Sequence, residues 1–181
     1  MARHPRRAVL CLLILGAIAS GSPAYSNPSA VAPSRCDAPE CHQFDFWVGN
    51  WEVRTPQGKL AGTNRVEKIL GGCVIEENWA GARGTTGRSF NIYSATDRKW
   101  HQTWVDSQGT LLMLAGEFRD GRMVLSAEAP ADSGRTVTDR ITWQKLDDGR
   151  VSQHWEVSTD GGRSWTDAFM GYYRRMNKGT R

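Results

Sequence analysis

Two dipeptides, Asp120-Gly121 and Asp148-Gly149, constrain this chain more than any other feature of its sequence. The first separates Gly116-Glu117-Phe118 from Met123-Val124-Leu125, the second Ile141-Thr142-Trp143 from Val151-Ser152-Gln153. Asp-Gly tolerates positive φ at both of its positions and so favours tight type I′ hairpins. Gln108-Gly109 and Gly71-Gly72 are weaker versions, and Pro56-Gln57-Gly58 is a looser turn. From Phe44 onward, short apolar-alternating runs are punctuated in this way every 8–12 residues or about that, which predicts an all-β chain. Helical periodicity is absent there apart from one turn around residues 44–49. Short connections join each strand to the next, so the expected topology is an antiparallel meander of about nine strands. A meander left open has two raw edges, and closing it removes both. A closed β-barrel is therefore expected, with a β-sandwich as the alternative.

The first residues read differently. Arg3, Arg6 and Arg7 precede Ala8–Ala19 (AVLCLLILGAIA), and small residues follow. That run is too short for a membrane span, which needs roughly 20 apolar residues, and fits the apolar core of a signal peptide. The expected organisation is a signal peptide over 1–26, a flexible Pro/Ser-rich arm over 27–43, the barrel over 44–176 and a tail over 177–181. An exported protein, periplasmic or secreted, follows, with no membrane span once the leader is removed. The leader also carries much of the basic charge. Losing its three arginines takes the balance of 23 Lys+Arg against 19 Asp+Glu from +4 to +1. The remaining signs alternate along the chain, which argues against the clustered basic face of a nucleic-acid binder.

Cys36, Cys41 and Cys73 remain beyond the leader, an odd number for an oxidising compartment. Three pairings are possible. Cys36 with Cys73 is preferred, because it tethers the arm across the start of the domain at a chain-entropy gain of roughly 3–4 kcal/mol. Scattered as they are, the three lack the spacing of a zinc site, and no metal is expected. Cys41-His42 falls in the arm and lacks the setting of a catalytic thiol.

Gly49-Asn50-Trp51 opens the first strand after a one-turn apolar segment, and Arg174 and Arg175 close the last. This resembles the Gly-x-Trp motif of lipocalins and their calycin relatives. The resemblance implies that Trp51, following Gly49, closes one barrel end beneath an arginine, assigned to Arg174. The segments FDFWVGNWEV, ILGGCVIEENW, WHQTWVDSQGTLL and GYYRR look like an uncharacterised family of secreted bacterial lipocalin-like proteins over roughly residues 40–175. That likeness implies fold and compartment and brings no activity. Haem-binding nitrobindins are a more distant likeness, which keeps haem as an alternative cofactor, with His101 or His154 as its ligand. Otherwise no cofactor is expected.

Ser158-Thr159-Asp160-Gly161-Gly162-Arg163-Ser164-Trp165 fits the Asp-box pattern found in sialidases and unrelated β proteins. Its role is a hairpin lock: Asp160 accepts turn amides with Ser158, Gly162 supplies an unusual backbone, and Trp165 packs beneath. His154 and Glu156 lie two apart on an expected strand and share a face, the one compact acid–base candidate. With His101 from another strand they would make a metal triad. The carboxylates are dispersed, and adjacent Glu76-Glu77 should point to opposite faces.

Alternation supplies the last reading. If Ser94–Lys99 is a turn, Tyr93 faces Trp100, Asn91 faces Gln102 and Ser89 faces Trp104. A barrel lined by Asn91, Tyr93, Gln102 and Trp104 would grip a small polar-aromatic or sugar-like ligand by stacking and a few hydrogen bonds. The opposite face, Phe90, Ile92, His101, Thr103 and Val105, would instead fill a closed core if it turned inward. Three functions stay open: a small-ligand-binding barrel, an enzyme with a lumen acid–base pair, and an envelope interaction or inhibitor module with a filled barrel.

Overall fold

A computed structural model of the chain describes residues 36–130, 134 and 136–176. The expected signal peptide, residues 27–35 of the arm and the tail at 177–181 lie outside the described residues. Ten strands run β1 (Gly49–Arg54), β2 (Leu60–Ile69), β3 (Val74–Gly81), β4 (Thr86–Ser94), β5 (Lys99–Asp106), β6 (Leu111–Arg119), β7 (Arg122–Pro130), β8 (Thr136–Lys145), β9 (Val151–Ser158) and β10 (Thr166–Arg175). Each pairs antiparallel with the next, and β10 returns to β1 with Trp51 opposite Arg175 and Val53 opposite Tyr173. The meander is thus a closed barrel, with one strand more than the turn count implied. No helix among the described residues is long and apolar enough to cross a membrane.

The two Asp-Gly turns differ. Asp120 and Gly121 both take positive φ, 50° and 73°, and join β6 to β7 as the tight hairpin the dipeptide asks for. At Asp148-Gly149 only the glycine does so. Leu146 N–H donates to Arg150 O, Gly149 N–H donates to Leu146 O, and the Asp148 carboxylate accepts from Arg150 N–H. This is a type I turn closed by a left-handed glycine. The extra residue, Asp147, lengthens the loop beyond a two-residue turn. The same pair of backbone bonds closes the loops at Thr55–Lys59, Gly81–Thr85 and Asp106–Thr110.

One end of the barrel is plugged by the segment that precedes β1. It holds two 310 turns, Pro39–His42 and Asp45–Trp47. Phe44 and Trp47 are wholly buried there, stacked on each other at 4.9 Å between ring centroids. Phe44 also meets Trp100 and Trp143 edge-on at 5.7 and 5.2 Å. The Trp51 indole donates to Trp47 O at 2.8 Å and ties the plug to β1. Arg175, not Arg174, covers Trp51: its guanidinium lies 4.5 Å from the ring centroid and donates to Val48 O. The register decides this, because Arg175 stands opposite Trp51 while Arg174 stands opposite Glu52 on the other face. Gly49 follows from the same packing, since a Cβ there would come within 2.5 Å of the Arg175 guanidinium.

Cys36 and Cys73 form a disulfide with Cα atoms 5.1 Å apart, fastening the arm beside the start of β3. Cys41 is buried in the plug segment with a free thiol.

Candidate functional site

The turn at 94–99 fixes how β4 and β5 line the barrel. Ser89 stands opposite Trp104, Asn91 opposite Gln102 and Tyr93 opposite Trp100. Ser89, Asn91, Trp100 and Gln102 are buried, whereas Phe90, Ile92 and Val105 are exposed. The polar and tryptophan face therefore points inward. On β3 the same alternation turns Ile75 and Glu77 in and separates Glu77 from the half-buried Glu76.

At the end opposite the plug these faces enclose a cavity of about 230 Å³. Its walls are Trp79, Trp104, Trp143, Trp155 and Phe169, with Leu112 and Ile141, and its polar groups are Glu77, Gln102, Gln153 and Tyr173. Close backbone approach makes room for the rings: a Cβ on Gly87 would fall 2.3 Å from the Trp104 ring. The size is below the usual ligand-pocket range, which begins near about 300 Å³, and suits only a small molecule.

Beneath the rings lies a continuous hydrogen-bond network. Glu77 Oε1 accepts from Asn64 Nδ2 at 2.6 Å and Oε2 from Ser89 Oγ at 2.7 Å. Asn91 Nδ2 donates to Ser89 Oγ and to Ile75 O, both at 3.0 Å. Gln102 Nε2 donates to Asn91 Oδ1 at 2.7 Å. Across the barrel Tyr173 Oη donates to Gln153 Oε1, and Trp155 Nε1 donates to Asp139 Oδ1 at 2.7 Å. The Trp143 indole N–H is buried without a partner among the described residues. Burial pushes the Glu77 carboxyl up to about 7, against the pull of its bonds from Ser89 and Asn64. Burial, and then the Glu77 charge, push the Tyr173 phenol up as well. Such a network in a low-dielectric interior positions its members rigidly.

The expected ligand residues divide. Gln102 and Trp104 line the cavity. Asn91 sits behind Gln102 and holds its amide, while Tyr93 lies toward the plugged end, its ring 6.1 Å from that of Trp100. His154 and Glu156 are not in the lumen: their neighbours Gln153 and Trp155 take the inward positions. Outside, His154 Nε2 contacts Asp167 Oδ1 at 2.7 Å, and Arg140 binds Glu156 at 3.0 Å. His101 is on the outer face of β5 against Asp97 at 2.8 Å. It cannot join His154 across the barrel, and neither histidine offered to haem turns into the cavity. Asp167 is instead the third member of the outer His154–Glu156–Asp167 group, whose ligand atoms lie within 4.8 Å of one another. The Arg140 guanidinium already occupies Glu156 there.

The Asp box locks the β9–β10 loop. Asp160 Oδ1 accepts from the amides of Arg163 and Ser164 and from Ser158 Oγ, each at 2.9 Å. Gly162 N–H donates to Ser158 Oγ, and Trp165 Nε1 donates to Gly162 O. These bonds, led by those from Ser164, hold the Asp160 carboxyl far below the usual carboxylate range. Arg140 lies 3.7 Å over the Trp165 ring on the outer surface.

Glu77 is the site residue that sequence reasoning passed over. Its signal was positional, an acid between Ile75 and Trp79 on an inward-facing strand stripe. No protein-family model matches this sequence, and no curated protein matches it.

Proposed function

We propose that this chain is an exported barrel protein that binds a small ligand in its tryptophan-walled cavity. The observation that carries the reading is the cavity itself: a closed barrel plugged at one end holds about 230 Å³ of space at the other, aromatic above and polar below. A few convergent polar groups in a mostly apolar concavity are the usual form of a small-molecule site. The Cys36–Cys73 disulfide supports an oxidising compartment. Native mass spectrometry with an absorbance spectrum, on protein exported to a periplasm and purified gently, tests the reading. A reproducible extra mass, lost in Trp104→Ala, is expected. A clean apo mass, with no tryptophan-fluorescence change against a panel of small aromatic and sugar ligands, would overturn it.

A second reading, an interaction module, draws on the outer face of β4–β6. Phe90, Val105, Leu111 and Met113 are 50%, 48%, 59% and 67% exposed there. Met113→Lys alters that face and leaves the cavity untouched. A phenotype in this variant with ligand binding intact would favour the second reading.

A further inference from the structure

Resting on the ligand-binding reading, we infer that the cavity takes a small aromatic cation, its ammonium on the Glu77 carboxylate and its ring among the indoles. The argument begins with charge. Of the described residues lining the cavity, Glu77 is the only acid, and no Lys, Arg or His accompanies it. Several other carboxylates have basic neighbours, as Glu156 has Arg140 and Asp45 has Lys68. Glu77 instead has two neutral donors, Asn64 and Ser89, one on each oxygen. A carboxylate oxygen accepts about two hydrogen bonds, so each retains capacity for a donor arriving from the cavity. A buried negative charge without a counter-charge is costly, and a cation seated beside it supplies the missing partner.

The walls favour the same chemistry. Indole faces attract cations and stack on aromatic rings, and four of them surround this space. Trp79 is two residues toward the mouth from Glu77, and Trp104 two residues toward the mouth from Gln102. At a strand rise of about 3.3 Å per residue, the Trp79 backbone stands about 7 Å along β3 from that of Glu77, while Trp104 stands opposite Ser89, which stands opposite Glu77. An ammonium on a two-carbon tether lets an aromatic ring lie against these indoles while the nitrogen reaches the carboxylate. An anion in the same place would meet Glu77 with like charge, and a neutral arene would leave the carboxylate unanswered.

Three probes of nearly one shape test this on the exported full chain: 2-phenylethylammonium, 2-phenylethanol and phenylacetate, titrated by tryptophan fluorescence. The cation should bind at least about tenfold more tightly than the other two, as expected of a desolvated charge pair. Glu77→Gln should erase that preference while changing affinity for the alcohol by less than about threefold. If the variant does not fold, the wild-type pH profile decides. Affinity for the cation should fall as pH drops below neutrality, while that for the alcohol stays level. The groups facing Glu77 are Asn64 of β2, Ser89 of β4 and Tyr173 of β10, and Tyr173 stays protonated through this range. The alcohol or phenylacetate binding as tightly as the cation overturns this inference and leaves the ligand-binding reading in place. A neutral or anionic adduct in the native spectrum does the same. No binding by any probe, together with a clean apo mass, overturns both.

Discussion

Replacing Glu77 by Gln should stabilise the protein above neutral pH and matter much less in acid. The carboxyl is 4% exposed, and burial moves it from an ordinary 4.5 to about 7. Below the lower value both folded and unfolded chains are protonated, and the shift costs nothing. Between the two, the folded chain holds a proton that the unfolded chain releases, so wild-type stability falls as pH rises. Above about 7 the full cost is present. At about 1.4 kcal/mol per pKa step, the gap amounts to about 3 kcal/mol. Glutamine keeps the shape and can still meet Asn64 and Ser89, with the Ser89 hydroxyl turned to accept, but it does not titrate. Denaturant unfolding of both proteins from about pH 4 to pH 8, followed by tryptophan fluorescence, should therefore give a difference that swings by about 3 kcal/mol in favour of the variant. Other groups cancel in that difference. A difference flat with pH would refute the reasoning, because it would mean that the folded carboxyl is as well solvated as the unfolded one.

Removing the Cys36–Cys73 bridge by paired serine substitution should cost about 3–4 kcal/mol in the same unfolding assay, given the 37-residue separation. Arg175→Ala should destabilise by about 1 kcal/mol through loss of its contacts with Trp51 and Val48 O, whereas Arg174→Ala should change stability by less than about 0.5 kcal/mol. Asp160→Asn should lower the thermal midpoint at neutral pH. Because the Asp160 carboxyl is held low, its stabilisation is present above the unfolded value of 3.8 and lost as pH falls through the folded one, so the two midpoints should converge in strong acid.

The β4–β5 hairpin shows how far the sequence could be read. Its turn set the register, and Asn91 meets Gln102 as alternation requires. Which face turned inward was not legible, because hydrophobicity pointed the wrong way: Phe90 and Ile92 are the apolar residues, and they lie outside. The polar stripe is inside because Glu77, Ser89, Asn91 and Gln102 satisfy one another, and partners on separate strands cannot be seen from one strand's pattern. The same blindness hid Glu77 and put His154 and Glu156 in the lumen, since alternation gives the spacing of a face without its direction. The choice of Arg175 over Arg174 likewise needed the β1–β10 register, which no local turn determines.

That seam has a consequence for biosynthesis. Every other strand pairing is made by neighbours in sequence, so nine strands can associate as they emerge, but β1 waits for β10. Until then both margins of the sheet offer unpaired backbone, the template for joining another copy. Tyr173 and Arg175, which brace the plug against Trp47 and Trp51, also arrive last. A chain cut short before the ten residues of β10 should therefore accumulate as edge-joined aggregates and not as a slightly weaker barrel. Conversely, new ends opened in an exposed hairpin such as Asp120-Gly121, with the old ends linked, should make the β1–β10 pairing local and move the long-range closure, with its unpaired margins, to β6 and β7.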